Sequence, residues 1–421
     1  MLARTERHNR IDPTQGERVD ATLEATIRER MKIESERTEP ADDAIAVPLI
    51  PVSRYTDPAF YALEQEHIWK RTWLFAGHES EWAEPGSYQV FDRSGAPIVI
   101  VRGQDGELRA FYNACRHRGA PVIREECGTA KRLTCQYHSW SYDTQGELKA
   151  VPDARSFKDL DTGELGLVPV ACQVWEGWVF VNEDADAGPL TEFLGPICEQ
   201  MVEIDGPNLR KVGTQLHRFP ANWKLMVDAF LEVYHIRTVH QDNAALLYDD
   251  QTVTVTMLDH GHSRLTVSKR PGMAEMLAVP PEIDNLRVPD LWRETSTSFG
   301  IFPNLVVPMD TGAFTFLSIW PVDHRTTELQ LHWYAPIWEG DEVPMDHQMR
   351  MQLFETVMAQ DTANMAPIQE SIESAGARPF QIGWHERLIH HFQRAVDLAI
   401  GPDRLPEGSA VSDALDGYVG I

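Results

Sequence analysis

A chain of 421 residues with 38 basic against 64 acidic side chains, a formal charge of −26, has no basic track for nucleic-acid phosphates. Its 43% hydrophobic content suits a globular protein with sizeable cores, and no apolar run is long enough to span a membrane. Five cysteines, an odd count confined to positions 115–198, argue against a disulfide framework, and the opening residues lack the apolar core of a secretory leader, so the cytoplasm is the expected location.

Residues 1–45 are highly charged, yet Val19, Leu23, Ile27 and Met31 recur every fourth position. That spacing permits a helical arm, packed for instance on another subunit, as readily as a frayed tail. From Asp57 the text reads as a helix to Trp73, with Asp57 as its cap and Pro58 at its first position. Short alternating strands follow at 88–91, 97–102 and 108–113, and DTQGE at 143–147 marks another hairpin. Residues 46–185 are thus expected to form an all-β domain.

A second domain, 186–421, mixes a helix containing residues 222–240 with strands at 252–257, 263–269, 314–320 and 328–334. The last two alternate apolar and polar residues, as a half-buried antiparallel sheet would. Helices return at 346–375 and 384–399, so the fold class is α+β.

Two constellations carry chemistry. Cys115-Arg116-His117 is followed, after 17 intervening residues, by Cys135-Gln136-Tyr137-His138. Two Cys and two His could hold a tetrahedral zinc or a [2Fe–2S] cluster with the cysteines on one iron and the histidines on the other. Mixed Cys/His loops favour the cluster, because zinc fingers pair Cys with Cys and His with His. Cys127, Cys172 and Cys198 read as ordinary buried thiols. In the second domain Asn222-Trp223-Lys224 precedes Glu232-Val233-Tyr234-His235 and then His240. On a regular helix residues five apart diverge by about 140°, so both histidines could reach one metal only if the helix ends or distorts between them.

The segments His117-Arg118-Gly119 and Cys135-Gln136-Tyr137-His138-Ser139-Trp140, with N-W-K … E-x-Y-H-x4-H about 100 residues later, resemble the paired motifs of Rieske non-heme iron oxygenase alpha subunits, the aromatic-ring-hydroxylating dioxygenase family. Arg116 departs from that pattern, which commonly has proline there. The resemblance implies a Rieske [2Fe–2S] domain held by Cys115, His117, Cys135 and His138, following a helical N-terminal segment. It also implies a helix-grip catalytic domain holding Fe(II) through His235, His240 and a late carboxylate. Asp361, in Gln360-Asp361-Thr362 with Gln369 eight residues on, fits that carboxylate better than Glu355. Glu232 would bridge the two metal sites across a subunit boundary of a homotrimer, with or without a small β subunit; Asp228, one turn earlier, reads either as lining the iron site or as a solvated helix charge. Expected partners are a reductase, with or without a ferredoxin, an organic substrate and O2. The activity implied is hydroxylation of an aromatic compound, with demethylation or monooxygenation of a quaternary amine as the alternative. A pure electron-transfer Rieske protein and a zinc-bound ligand-binding protein are the readings from other classes. Neither His260/His262 nor His390/His391 belongs to the motif, and both pairs read as strand or helix-surface residues. Residues 299–308 resemble the family's F-P-N stretch near the substrate cavity, or are a buried strand. No dinucleotide fingerprint appears, which places NAD(P)H oxidation on another protein.

Overall fold

The computed structural model describes residues 21–201, 204–278, 290–310 and 313–420. Helix α1 (Ala21–Glu36) buries Ile27 and Met31 in the same apolar cluster as Leu258, and Arg28 reaches Glu294 at 2.6 Å. The periodic part of the arm therefore lies on the chain's own second domain; Val19 falls outside the described residues. After α2 (Ser53–Thr56) comes α3 (Pro58–His67), where Asp57 accepts the Ala59 N–H at 2.8 Å. A cap of this kind contributes about 1 kcal/mol. The helix stops at His67, short of the Trp73 expected.

The β domain is a seven-stranded antiparallel sheet with a three-stranded sheet beside it. Its strands are β1 (Leu74–His78), β2 (Ser87–Phe91), β3 (Ile98–Arg102), β4 (Leu108–Tyr112) and β5 (Cys127–Thr129), with β6 (Leu133–Thr134), β7 (Ser141–Tyr142) and β8 (Leu148–Ala150) forming the small sheet. β9 (Pro169–Trp175) and β10 (Trp178–Asn182) complete the large one, whose order is β1-β10-β9-β4-β3-β2-β5. The hairpin at 143–147 forms as expected: Asp143 accepts the N–H groups of Gln145 and Glu147.

Short helices α4 (Leu190–Leu194) and α5 (Ile197–Met201) lead to the second domain. Its sheet contains β11 (Leu209–Phe219), β12 (Tyr248–Met257), β13 (Ser263–Lys269), β14 (Thr295–Ile301), β15 (Leu305–Asp310), β16 (Ala313–Asp323) and β17 (Thr326–Pro336), in the order β11-β17-β16-β15-β14-β13-β12, antiparallel throughout. The alternation seen in β16 and β17 sorts side chains into two cores. Phe314, Phe316 and Tyr334 join Phe75 and Trp178 of the β domain, while Leu317, Ile319, Leu329, Leu331 and Trp333 face the helices. Residues 299–308 form a hairpin rather than one strand, with β14 and β15 pairing Ile301 to Leu305. Strong β-propensity hid the turn at Phe302-Pro303-Asn304, all three of which are buried.

Helices α6 (Trp223–Phe230), α7 (Ile236–Val239), α8 (Ala244–Leu247), α9 (Met273–Met276), α10 (Asp290–Glu294), α11 (Met345–Ile372) and α12 (Arg387–Ile400) complete the domain. The single helix expected over 222–240 is broken, since α6 ends at Phe230 and α7 begins at Ile236. Residues 50–67, ahead of the β domain, are tied to this second domain. Ile50 bridges Phe380, and Arg54, wholly buried, donates to Gln393 and pairs with Asp397. Glu64 accepts from Trp223 Nε1 at 3.0 Å and from Lys224 Nζ at 2.5 Å, with both charges fully buried. Removing one partner of such a pair costs about 3–5 kcal/mol, because the other charge is then stranded.

Candidate active site

The two cysteine loops share one backbone design. Cys115 N–H donates to Ala120 O at 2.8 Å and Gly119 N–H returns to Cys115 O at 2.8 Å; Cys135 N–H likewise donates to Trp140 O at 2.9 Å and Ser139 N–H to Cys135 O at 2.8 Å. Each turn needs a left-handed residue at its fifth position, supplied by Gly119 (φ 74°) and Ser139 (φ 59°). This pseudo-symmetry brings the loops together with both cysteines buried and both histidines partly exposed. The Nδ1 atoms of His117 and His138 lie 3.1 Å apart, and His117 stacks on Trp140 at 5.0 Å. Tyr142 OH accepts the Arg116 N–H at 3.0 Å, which leaves its own proton for Cys115 Sγ at 3.3 Å. Burial pushes the Cys115 thiol up, and Tyr142 partly offsets this. Thiolates inside and imidazoles outside fit a [2Fe–2S] cluster whose histidine edge meets solvent. Cys127 is exposed rather than buried, while Cys172 and Cys198 are half-buried with thiols raised by burial to about 12 and about 11.

In the second domain the single short turn of α7 makes the other site. His235 occupies the residue before α7 and His240 the residue after it, so their rings sit 5.2 Å apart instead of diverging around one cylinder. Asp361, from the middle of α11, meets them with Oδ1 at 2.9 Å from His240 Nε2 and 3.6 Å from His235 Nε2. One ligand atom from each residue lies within 4.8 Å of the others. Metal–ligand bonds of about 2.1 Å put neighbouring donors about 3 Å apart, so the set fits one ion. Two imidazoles and one carboxylate on a single face are the facial arrangement of non-heme iron.

Each histidine is oriented from behind. His235 Nδ1–H donates to Glu232 Oε1 at 2.5 Å, and His240 Nδ1–H to Gln360 Oε1 at 2.7 Å, which also receives Asn243 Nδ2 at 2.9 Å. These bonds leave Nε2 of both rings for a metal. Burial works to lower both histidines, yet the neighbouring carboxylates win and both are raised. The pocket thus favours positive charge at the point where a cation would sit. Glu232 Oε2 also accepts the backbone N–H groups of Tyr234 and His235, so this carboxylate shapes the turn into α7 as well as the ring. Among the described residues it pairs with no Lys or Arg. Tyr234, between the two, is exposed.

Glu355 is held by Gln215 at 2.8 Å, away from the histidines. Asp228 is buried, and its oxygens take Tyr55 OH at 2.6 Å and Gln393 Nε2 at 3.2 Å. Its burial rules out a solvated helix charge. Burial raises it to about 7. His262, His390 and His391 are buried rather than on a surface. His262 is fixed by Phe193 O and Phe302 N–H, and His391 by Leu258 O. Gln360 and Tyr142 were given no role by sequence reasoning. Gln360 stands beside Asp361 in the motif and could have been flagged; nothing local marks Tyr142.

Fold and site together define a two-centre redox protein in which a thiolate–imidazole constellation accompanies a facial triad. Comparison gives the class its name. Residues 72–170 match the Rieske [2Fe-2S] domain and residues 207–401 the ring hydroxylating alpha subunit (catalytic domain). Chlorobenzene dioxygenase subunit alpha of Cupriavidus sp. (strain PS12) is 37% identical over 190 residues, 44% of this chain and 42% of that one. The aligned stretch is thus less than half of that relative. The carnitine monooxygenase oxygenase subunit of Acinetobacter baumannii is 26% identical over 327 residues, 77% of this chain and 85% of the relative. Among solved structures, a quaternary ammonium Rieske monooxygenase with an inhibitor bound superposes at TM-score 0.73 and 24% identity, covering 85% of this chain and 96% of that one. Naphthalene 1,2-dioxygenase from Rhodococcus sp. bound to indole gives 0.69 at 20%, covering 92% and 100%. The chain belongs to the Rieske non-heme iron oxygenase alpha-subunit family, whose cofactors are a [2Fe–2S] cluster and a mononuclear iron.

Proposed function

We propose that this chain is the terminal oxygenase component of a multicomponent system, oxidising a small organic molecule with O2 and electrons from a separate reductase, with or without a ferredoxin. The convergence of His235, His240 and Asp361 within 4.8 Å carries the proposal, because a purely electron-transferring Rieske protein needs no second centre. Cys115, Cys135, His117 and His138 would hold the cluster, and the triad would hold Fe(II). When bound, the two groups supply one-electron transfer and dioxygen activation. Glu232 and Gln360 keep both Nε2 atoms on the metal side, and three protein ligands on one face leave the other open to O2. The hydrogen bond between Glu232 and His235, beside the exposed Tyr234, supports a link from this site to a partner subunit's cluster in a trimer.

Sequence reasoning favoured an aromatic substrate. The carnitine monooxygenase similarity runs over 77% of the chain, against 44% for chlorobenzene dioxygenase, and supports a quaternary amine as the second reading. Glu232 points the same way, because many aromatic-dihydroxylating members of the family carry Asp there, whereas several monooxygenating and quaternary-amine members carry Glu. The test is purified protein with a reductase and NADH, offered aromatic hydrocarbons and trimethylammonium compounds in parallel under 18O2. Labelled hydroxyaromatic supports the first reading, and trimethylamine release the second. A colourless, zinc-containing protein without sulfide would end both. So would a full complement of cluster and mononuclear iron with no oxygen-dependent turnover on any substrate.

A further inference from the structure

The iron-site helices are joined by polar contacts lying well away from the triad. Gln369 is 1% exposed and sits on α11 eight residues beyond Asp361, about 12 Å along the axis. Its Oε1 accepts the backbone N–H of Asn222, the residue that caps α6, at 2.9 Å. Its Nε2 donates to Tyr55 O at 3.4 Å and to Glu373 Oε1 at 2.7 Å. Tyr55 is fully buried, and its hydroxyl donates to Asp228 on α6 at 2.6 Å. Three elements are thereby tied pairwise: α11 to α6 through Gln369 and Asn222, α11 to α2 through Gln369 and Tyr55 O, and α2 to α6 through Tyr55 OH and Asp228. None of these atoms touches a ligand. Yet α6 leads directly into the turn bearing Glu232 and His235, and α11 carries Asp361.

We propose that Gln369 and Tyr55 are positioning residues for the mononuclear metal, a latch that sets how far along α6 the carboxylate-bearing helix sits. A facial triad tolerates misplacement of only about 0.5 Å, and the two helices share no ligand that could correct a slip. Asn222 and Gln369 are both buried, so a slip strands the Asn222 N–H in the core without a partner. Each end thus holds the other in register. The inference rests on the triad being the metal site, and it assigns a role to residues that precede the Rieske domain in the chain.

The test uses full-length protein with its cluster retained and its mononuclear metal removed, titrated with Co(II). Wild-type protein that takes up no Co(II) would refute the triad as a metal site, separately from the latch. If it binds, Gln369→Met should weaken Co(II) about ten-fold, within the range for residues that orient ligands from behind, with cluster absorbance unchanged. Tyr55→Phe should weaken it less, because Tyr55 O remains. Val307→Ala, a cavity at a fully buried position in the other core, serves as the stability control and should leave Co(II) affinity unchanged. Equal affinity in wild type and Gln369→Met overturns the latch, as does an equal loss in the control. Coupling is reciprocal, so wild-type protein alone gives a second reading if the variants do not fold. Co(II) should slow amide exchange in peptides covering residues 221–226 about ten-fold. Slowing confined to residues 235–240 overturns the proposal.

Discussion

The two metal constellations are built on opposite plans. The cluster ligands come in two local loops, each closed by its own backbone hydrogen bonds and differing mainly in whether Gly119 or Ser139 takes the left-handed turn. The triad is assembled from a broken helix and a distant one, oriented by Glu232 and Gln360 and backed by buried polar groups from residues 50–67. A local site is robust to change elsewhere in the fold. An assembled site takes its geometry from the whole domain, and with it a wide surface for mutation to act on.

The comparison breaks most cleanly at the ligands. Asp361→Ala should abolish turnover, a loss of at least about 1,000-fold, and should empty the mononuclear site while the cluster's visible spectrum persists; Cys135→Ser should do the reverse, bleaching the cluster but leaving Co(II) uptake intact. Metal analysis with absorbance distinguishes the two, and coupled loss of both groups from either variant would contradict independent sites. Next in size, Gln360→Ala frees His240 Nδ1 and should weaken mononuclear metal binding about 10–100-fold, measured by competition with a chelator. Glu232→Gln keeps an acceptor for the turn but removes the charge beside His235. Both metals should remain while single-turnover oxidation of the reduced cluster slows about ten-fold, and an unchanged rate would remove Glu232 from the link.

The smallest effect concerns stability. Asp228 keeps its proton up to about pH 7 in the native state because burial penalises its charge, whereas unfolded it loses the proton near pH 4. The native state therefore binds more protons between those values, and this contribution to stability declines as pH rises through the window, by at most about 1.4 kcal/mol per unit. Asp228→Asn removes the titration. Its melting temperature relative to wild type should climb by a few degrees between pH 5 and 8, and a constant offset would mean that Asp228 is ionised throughout.

Sequence carried far in the first constellation and less far in the second. Cys115, His117, Cys135 and His138 lie in short motifs whose spacing already encodes the loop, and strands such as β16 and β17 announce themselves by alternation. The break between Phe230 and Ile236 was less legible, because 222–240 contains good helix formers and neither Gly nor Pro. The need for two histidines to meet pointed instead to an end between His235 and His240, which α7 supplies after Val239. The partners of Asp228 were hidden for the converse reason: its place in the motif says nothing of Tyr55 and Gln393, more than 150 positions away in each direction. Long-range polar networks leave no periodic trace.

The placing of residues 50–67 has one more outcome. Because these residues and everything after β10 belong to the catalytic half, the Rieske unit is a graft with two attachment points. Leu74 at its start lies opposite Val181 at its end in the β1–β10 ladder. Its two stems therefore leave the host side by side. Such a unit cannot swing on a single tether, and whatever it docks against is chosen by the host's surface. It is also a natural cassette: a Rieske unit of another potential could replace it between these adjacent strands without moving either end of the catalytic fold.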